Sequence, residues 1–308
     1  MRRPASLLPV LAATALLLTA CGTEHTGPAS AGSGAAERPT RTQVDDAGED
    51  GVRITSLTLP SVSPSPTRST SVSAGGIPAD SVVLATYEVT NNGTERLTYS
   101  VVFTFLGSDG GAVINQSTTV RDVGPGKTVR GTVRAGELPP DAPRVTQAKV
   151  LEVTTVPAGE APAEPGTCPA SGIRISADKG DAAMGLRVVG LRLDNCGKRD
   201  YTVGGYPLLE LLDDDLDPVD GIEILDGSGD ITTGAGPDEP PRPITLDPGE
   251  SATSGLVWRN TTEAGTAVNV PHVRVRAKAG ADPVTVSPHL DLGTTGKLGV
   301  EPWAKAER

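Results

Sequence analysis

Residues 96–105 read Arg-Leu-Thr-Tyr-Ser-Val-Val-Phe-Thr-Phe, and this stretch decides the fold class. Its bulky apolar side chains recur at every second position, at Leu97, Tyr99, Val101, Phe103 and Phe105. Successive side chains of a β-strand point to opposite faces of a sheet, so a period of two predicts a strand with one apolar face. Residues 128–134 alternate in the same manner, with Val129 and Val133 among threonines and arginines.

The region from Val52 to Val156 continues this pattern. Short alternating segments are separated by turn sequences such as Asn91-Asn92-Gly93 and Gly124-Pro125-Gly126, which favour tight bends. No stretch of the chain shows the 3.6-residue period of an amphipathic helix. With about seven strands expected, residues 51–156 are predicted to form an immunoglobulin-like β-sandwich, with residues 60–79 as a loop after its first strand.

A second β-rich region follows a linker of proline, alanine, glycine and glutamate at residues 157–166. This region is predicted to cover residues 167–302, and residues 303–308 are predicted to be a tail. Its strand-like segments are residues 173–175, 186–193, 207–212, 244–246, 256–258 and 273–276. The chain is therefore predicted to be all-β, with two sandwiches in tandem.

The amino end has the features of an export signal. Arg2 and Arg3 supply positive charge, and residues 7–20 are mostly apolar and carry no charge. This run is shorter than the roughly 20 apolar residues that a membrane-spanning helix needs. Residues 1–20 are therefore predicted to be a signal peptide.

The sequence Leu18-Thr19-Ala20-Cys21 resembles the lipobox of bacterial lipoproteins, in which the cysteine thiol receives lipid. The resemblance implies cleavage before Cys21 and attachment to the outer face of the cytoplasmic membrane through acyl chains. The alternative is an ordinary secretory signal beside a free cysteine. Residues 21–50 are rich in Gly, Ala, Ser, Thr and acidic residues, cannot form a core, and are predicted to be a disordered tether.

The charge balance limits the partners. The chain carries 38 acidic and 27 basic residues, which gives a net charge of −11. An acidic protein is repelled by phosphates, so neither nucleic acid nor direct electrostatic attachment to anionic lipid is expected. Contact with the membrane is expected through the lipid alone.

Three stretches of the second region resemble a known family. They are Cys168, the sequence Leu191-Arg-Leu-Asp-Asn-Cys-Gly197, and Gly205-Tyr206-Pro207. The family is the actinobacterial extracytoplasmic domain of unknown function 4232, with an opening cysteine, Asn-x-Gly at a strand end, and Cys-Thr-Leu-x-Gly-Tyr-Pro. Tyr201 stands where the second family cysteine is expected, and Cys196 appears five residues earlier. The resemblance implies an extracytoplasmic β-sandwich with no assigned activity.

The number of cysteines is consistent with an exported protein. With Cys21 assigned to lipid, Cys168 and Cys196 remain as a pair in an oxidising compartment, and a disulfide between them is predicted. Residues 196 and 201 flank one tight turn, so Cys196 and Tyr201 are predicted to be cross-strand neighbours from which a bridge could reach the same partner. The alternative is two buried thiols.

The sequence offers no recognisable catalytic set. The three histidines, His25, His272 and His289, are predicted to lie in the tether, a strand and a loop, and no serine has the Gly-x-Ser-x-Gly context of a hydrolase. Neither an enzyme activity nor a cofactor nor a bound metal is predicted.

One acidic stretch stands out, with its densest part at Asp213-Asp214-Asp215-Leu216-Asp217. Carboxylates at the alternate positions Asp213, Asp215 and Asp217 could share a calcium ion, so residues 213–230 are a candidate cation site. The favoured interpretation is a solvated acidic loop.

The function predicted from sequence is that of a non-enzymatic, lipid-anchored envelope protein. It would act as a binding or scaffolding module at the cell surface, toward an envelope or cell-wall partner that the sequence does not identify. A structural spacer and a calcium-dependent binding module are the alternatives, and an enzyme is the least favoured class.

Overall fold

The computed structural model describes residues 40–44, 46–60, 83–138, 141–232, 240–262 and 264–306. All helices and strands assigned to these residues are β-strands, so the predicted all-β class is confirmed. No described helix is long and apolar enough to cross a membrane. The predicted signal peptide, Cys21 and the predicted loop from residue 61 onward lie outside the described residues.

Seven strands form the first sandwich. They are β1 (Thr40–Gln43), β2 (Val52–Leu59), β3 (Leu84–Thr90), β4 (Leu97–Leu106), β5 (Ala112–Val123), β6 (Thr128–Arg134) and β7 (Gln147–Pro157). One sheet has the order β1-β2-β3-β6 and the other the order β5-β4-β7. The chain therefore changes sheet between β3 and β4, between β5 and β6, and between β6 and β7, as expected of an immunoglobulin-like sandwich.

The alternation in β4 builds the core of this sandwich. Tyr99, Val101, Phe103 and Phe105 are all buried, with at most 2% of their surface exposed. They pack with side chains of the opposite sheet, and the rings of Tyr87 and Phe103 lie 4.9 Å apart between centroids. The apolar face predicted from residues 96–105 is thus the inner face of the sandwich.

The first sandwich begins earlier than the sequence predicts. Strand β1 lies inside the range 21–50 that was predicted to be a disordered tether, and its residues pair with Ser56–Leu59 of β2. All four residues of β1 are exposed, so the strand has no apolar face that hydrophobic patterning could detect. It is held by backbone pairing with β2 and by a hydrogen bond from the Arg41 side chain to the Ser56 hydroxyl, 3.0 Å long. The range 52–157 contains six described strands, and β1 is the seventh.

The second region has fourteen described strands. They are β8 (Ile173–Ala177), β9 (Asp181–Ala183), β10 (Leu186–Asn195), β11 (Tyr201–Val203), β12 (Leu208–Leu212), β13 (Glu223–Asp226), β14 (Ile244–Leu246), β15 (Ser251–Arg259), β16 (Val268–Val270), β17 (His272–Arg276), β18 (Val284–Val286), β19 (Leu290–Gly293), β20 (Lys297–Val300) and β21 (Ala304–Lys305). The largest sheet follows the path β13-β20-β15-β10-β8, and the sheets β11-β14, β12-β17-β18 and β16-β19 complete the region. Both tryptophans, Trp258 and Trp303, are buried in its core.

The two sandwiches share the pairing of their central strands. In the first, β3 pairs with β6 and β4 pairs with β7. In the second, β10 pairs with β15, while β11 and β12 together take the place of β4, because β11 pairs with β14 and β12 with β17. Strand β17 therefore corresponds to β7.

A buried asparagine forms the same corner in both sandwiches. Asn91 donates hydrogen bonds to the carbonyl oxygens of Glu95 and Val123 and accepts one from the Gly93 N–H. Asn195 makes the matching set with Arg199, Leu246 and Gly197. The backbones of both asparagines also pair with a Pro-Gly turn, at Gly126 and Lys127 in the first case and at Gly249 and Glu250 in the second.

Cys168 and Cys196 form a disulfide, which confirms the predicted pair. The predicted neighbourhood of Cys196 and Tyr201 is wrong. Cys196 follows β10 in the largest sheet, whereas Tyr201 begins β11, which pairs with β14 in another sheet. The chain crosses between sheets at the Asn195 corner instead of folding back as a hairpin.

The predicted linker makes defined contacts with the second sandwich. The Glu160 carboxylate accepts hydrogen bonds from Arg274 and from the Thr285 hydroxyl, each 2.7 Å long. The Glu160 carbonyl accepts a further bond from the Thr285 N–H. Arg274 also pairs with Glu210 at 2.7 Å. The linker is therefore docked, and the described residues between 40 and 306 belong to one compact unit.

Candidate functional site

A cleft of about 620 Å³ lies between the two sandwiches. This volume is within the range of about 300 to 1,000 Å³ that is common for ligand sites. The first sandwich contributes Asp50, Gly51, Thr90, Asn92, Gly93, Leu97, Tyr99, Glu152, Val153, Thr154 and Thr155, and the second contributes Asp214, Asp215, His272 and His289.

The cleft runs along the edge of β7. Four consecutive β7 residues, Glu152 to Thr155, line it. Consecutive side chains of a strand point to opposite faces, so a cavity that touches all four lies beside the strand and not on one face of the sheet. The outer face of this sheet borders a different cavity, lined by Thr154, Val156 and residues 161–163 of the linker.

The walls of the cleft are acidic. The described lining residues include Asp50, Glu152, Asp214 and Asp215 but no lysine or arginine. Asp214, Asp215 and Glu152 are exposed to solvent. Carboxylates that converge from two sides of a cleft concentrate a negative potential there, and this favours a positively charged ligand.

Two histidines, one predicted in a strand and the other in a loop, line this cleft. His289 Nε2 lies 3.3 Å from Glu152 Oε1, which is a contact between the two sandwiches. His272 begins β17, is 3% exposed, and its Nδ1 lies 3.0 Å from the Ser287 hydroxyl oxygen. His25, the third histidine, lies outside the described residues.

Burial lowers the pKa of His272, and the neighbouring His289 lowers it further, whereas Asp214 and Asp213 act in the opposite direction. The ring is therefore held neutral at neutral pH. Burial also raises the pKa of Tyr99, with a smaller contribution from Asp50. The deep part of the cleft thus offers neutral polar groups, and the charged groups lie at its walls.

We expect a pH effect on stability from His272. A histidine whose folded-state pKa is lowered takes up a proton more readily in the unfolded chain, so the fold loses stability as pH falls below about 6.5. The free energy of unfolding should decrease between pH 7 and pH 5.5 in the wild type and should change less in His272→Gln. Denaturant unfolding at each pH measures it. An equally steep decrease in both proteins would contradict the assignment.

The acidic stretch forms a tight loop in which Asp213 has a structural role. The Asp213 carboxylate accepts hydrogen bonds from the N–H groups of Asp215 and Asp217, at 3.0 and 2.9 Å. Among the described residues no group of three His, Cys, Asp or Glu side chains is placed to hold a metal ion. The structure therefore does not bring Asp213, Asp215 and Asp217 together as a cation site.

We expect calcium and magnesium to affect the protein alike. With Asp213 engaged by backbone N–H groups and its neighbours solvated, both cations should only screen the acidic surface. At equal ionic strength, each should shift the melting temperature by the same small amount, as measured by thermal denaturation. A calcium-selective shift that is lost in Asp215→Asn would overturn this expectation, because a specific ligand stabilises only the state that binds it.

The family comparison concerns the second sandwich, which contains the Asn195 corner, the disulfide and one wall of the cleft. Residues 168–304 match the family model described as domain of unknown function DUF4232. This match confirms the resemblance seen in the sequence. No curated protein and no solved structure is significantly similar to the chain. The family description assigns no activity to the DUF4232 region, so the geometry of the cleft carries the functional argument.

Proposed function

We propose that the protein is a non-enzymatic binding module that holds a positively charged ligand in the cleft between its two sandwiches. The observation that carries this proposal is the convergence of Glu152 from the first sandwich and Asp214 and Asp215 from the DUF4232 region on one cleft. The lining residues also include Val153, Leu97 and Tyr99, so the cleft combines charge with apolar surface.

The docked linker supports this proposal. Glu160 is bonded to Arg274 and Thr285, and Arg274 lies in β17, whose first residue is His272. The pKa of Arg274 is raised by its hydrogen bonds to Glu160 and then Glu210, so the guanidinium on this contact stays charged. This connection defines the distance between the walls of the cleft before a ligand binds.

The test uses trilysine and triglutamate peptides with the full chain in detergent. Trilysine should bind, with an affinity that falls as salt rises, and triglutamate should not. Asp214→Asn/Asp215→Asn should weaken trilysine binding at least fivefold in calorimetry. The control Asp220→Asn/Asp230→Asn removes equal charge outside the cleft and should have little effect.

Equal binding of both peptides, or equal losses in the two double variants, would refute the proposed site. No trilysine binding at low salt would refute it as well and would favour the structural spacer.

The proposal places this module on the outer face of the cytoplasmic membrane, attached through Cys21. Its support is the lipobox sequence, because the cysteine thiol is the only acceptor for lipid there. Cys21→Ser should abolish acylation and release the protein from the membrane fraction, as measured by metabolic labelling with a fatty acid and by fractionation. A variant that is acylated and processed like the wild type would contradict the anchor.

A further inference from the structure

The open edge of β7 distinguishes the first sandwich from the second. Strand β17, which corresponds to β7, has a partner on each side, because β12 pairs with one edge and β18 with the other. Strand β7 pairs only with β4 among the described residues and ends its sheet. After β7 the chain enters the docked linker, whereas after β17 it turns back and adds β18.

Backbone groups on this edge are without a strand partner. In an antiparallel pair, alternate residues direct their N–H and C=O groups to one neighbour, and the remaining residues direct theirs to the other side. Within the described residues, Glu152 to Thr155 have no backbone hydrogen bond beyond those to β4. These are the four β7 residues that line the cleft. An exposed edge of this kind is a template for an added strand.

We infer that the β7 edge accepts an extended peptide as an added antiparallel strand, in the position that β18 occupies in the second sandwich. The inference rests on the proposed function and names the ligand class. The cleft selects the side chains of this peptide. Val153 and Thr155 stand opposite Val101 and Tyr99 on the inner face, so side chains of the added strand on that face meet apolar surface.

The other side chains of the added strand lie on the same face as the Glu152 carboxylate. Glu152 stands opposite Val102, on the outer face of the sheet, and Asp214 and Asp215 form the wall contributed by the DUF4232 region. The peptide that fits is therefore a short strand in which lysine or arginine alternates with a β-branched or aromatic residue. A slip by one residue would place its basic side chains on the apolar face, so the register is defined.

The test uses an acetylated hexapeptide of alternating lysine and valine, its two N-methylated isomers, and the full chain in detergent. One isomer carries N-methyl groups on the three lysine amides and the other on the three valine amides. Only one set of amides faces β7, so one isomer should lose at least tenfold in affinity by calorimetry and the other should bind like the parent. Hydrogen exchange should slow at outward-facing amides within residues 152–155.

The outcomes separate this inference from the proposed function. If both isomers bind like the parent and Asp214→Asn/Asp215→Asn weakens all three, the cleft binds charge but no strand is added, and the inference is overturned. If both isomers lose affinity equally, the peptide does not pair with β7 in a single register. This result also overturns the inference. If neither trilysine nor the hexapeptide binds, the proposed function fails together with the inference.

Discussion

Removal of the Cys168–Cys196 disulfide is expected to lower the free energy of unfolding of the DUF4232 region by about 3 to 4 kcal/mol. The bridge closes a loop with a sequence separation of 28 residues, which contains β8, β9 and β10. In the chain-entropy model, opening a loop of this length releases the corresponding entropy to the unfolded chain. Cys168→Ala/Cys196→Ala tests this, since it removes both thiols and leaves no unpaired cysteine at either position.

Tryptophan fluorescence is a selective probe for this experiment. Trp258 and Trp303 are the two tryptophans of the chain, and both are buried in the second sandwich. The urea concentration at which tryptophan fluorescence reports half unfolding should be lower in Cys168→Ala/Cys196→Ala than in the wild type. In unreduced, denatured wild-type protein, a thiol reagent should label neither Cys168 nor Cys196. Full labelling of both would contradict the bridge, and an unchanged midpoint would contradict its contribution to stability.

The second large effect is expected from the buried asparagine corners. Alanine at position 91 or 195 would leave two carbonyl groups and one N–H without their side-chain partner. The Val123 and Leu246 carbonyls belong to buried residues, and a buried polar group without a partner costs about 1 to 3 kcal/mol. The other partners lie on exposed or half-buried residues and can turn to water. We therefore expect Asn91→Ala and Asn195→Ala each to lower the free energy of unfolding by about 1 to 3 kcal/mol in urea titrations.

Asn92→Ala is the matched control for this prediction. Asn92 is adjacent to the first corner in sequence but exposed, so its replacement should change the free energy of unfolding by less than about 0.5 kcal/mol. Tryptophan fluorescence should detect the effect of Asn195→Ala directly, because both tryptophans lie in that sandwich. An effect of Asn91→Ala no larger than that of Asn92→Ala would show that the corner does not hold the fold.

Strand positions were predictable because their signal is local. The alternation in residues 128–134 coincides with β6, and residues 244–246 coincide with β14. The exposed strand β1 has no apolar face, so its position depends on pairing with a strand further along the chain and leaves no mark in the sequence.

The similarity between the two sandwiches is visible in the sequence as two recurring short motifs, although the strand pattern alone does not show it. Asn91-x-Gly93 recurs as Asn195-x-Gly197, and Gly124-Pro125-Gly126 recurs as Asp247-Pro248-Gly249. These two short motifs mark equivalent positions in the two sandwiches, although the strand pattern around them differs in length and number.

The cleft could not be predicted from sequence because its walls come from distant parts of the chain. His289 meets Glu152 only because the linker docks on the second sandwich, and no local period reports such docking. The density of carboxylates at Asp213 to Asp217 is evident in the sequence, and it is the pattern that made this stretch a candidate cation site. Asp214 and Asp215 of this run line the cleft beside the edge of β7, and this position suggests a different partner.

The contacts of Glu160 have a consequence for the rates of binding. Because the linker holds the two walls at a set separation, association would need no closing motion, and the encounter itself would limit its speed. Rigid partners associate at about 10⁵ to 10⁷ M⁻¹s⁻¹, and acidic walls should increase this rate for basic peptides at low salt. Competing peptides would then differ mainly in how long each stays bound, so the selectivity of the cleft would be expressed in residence times.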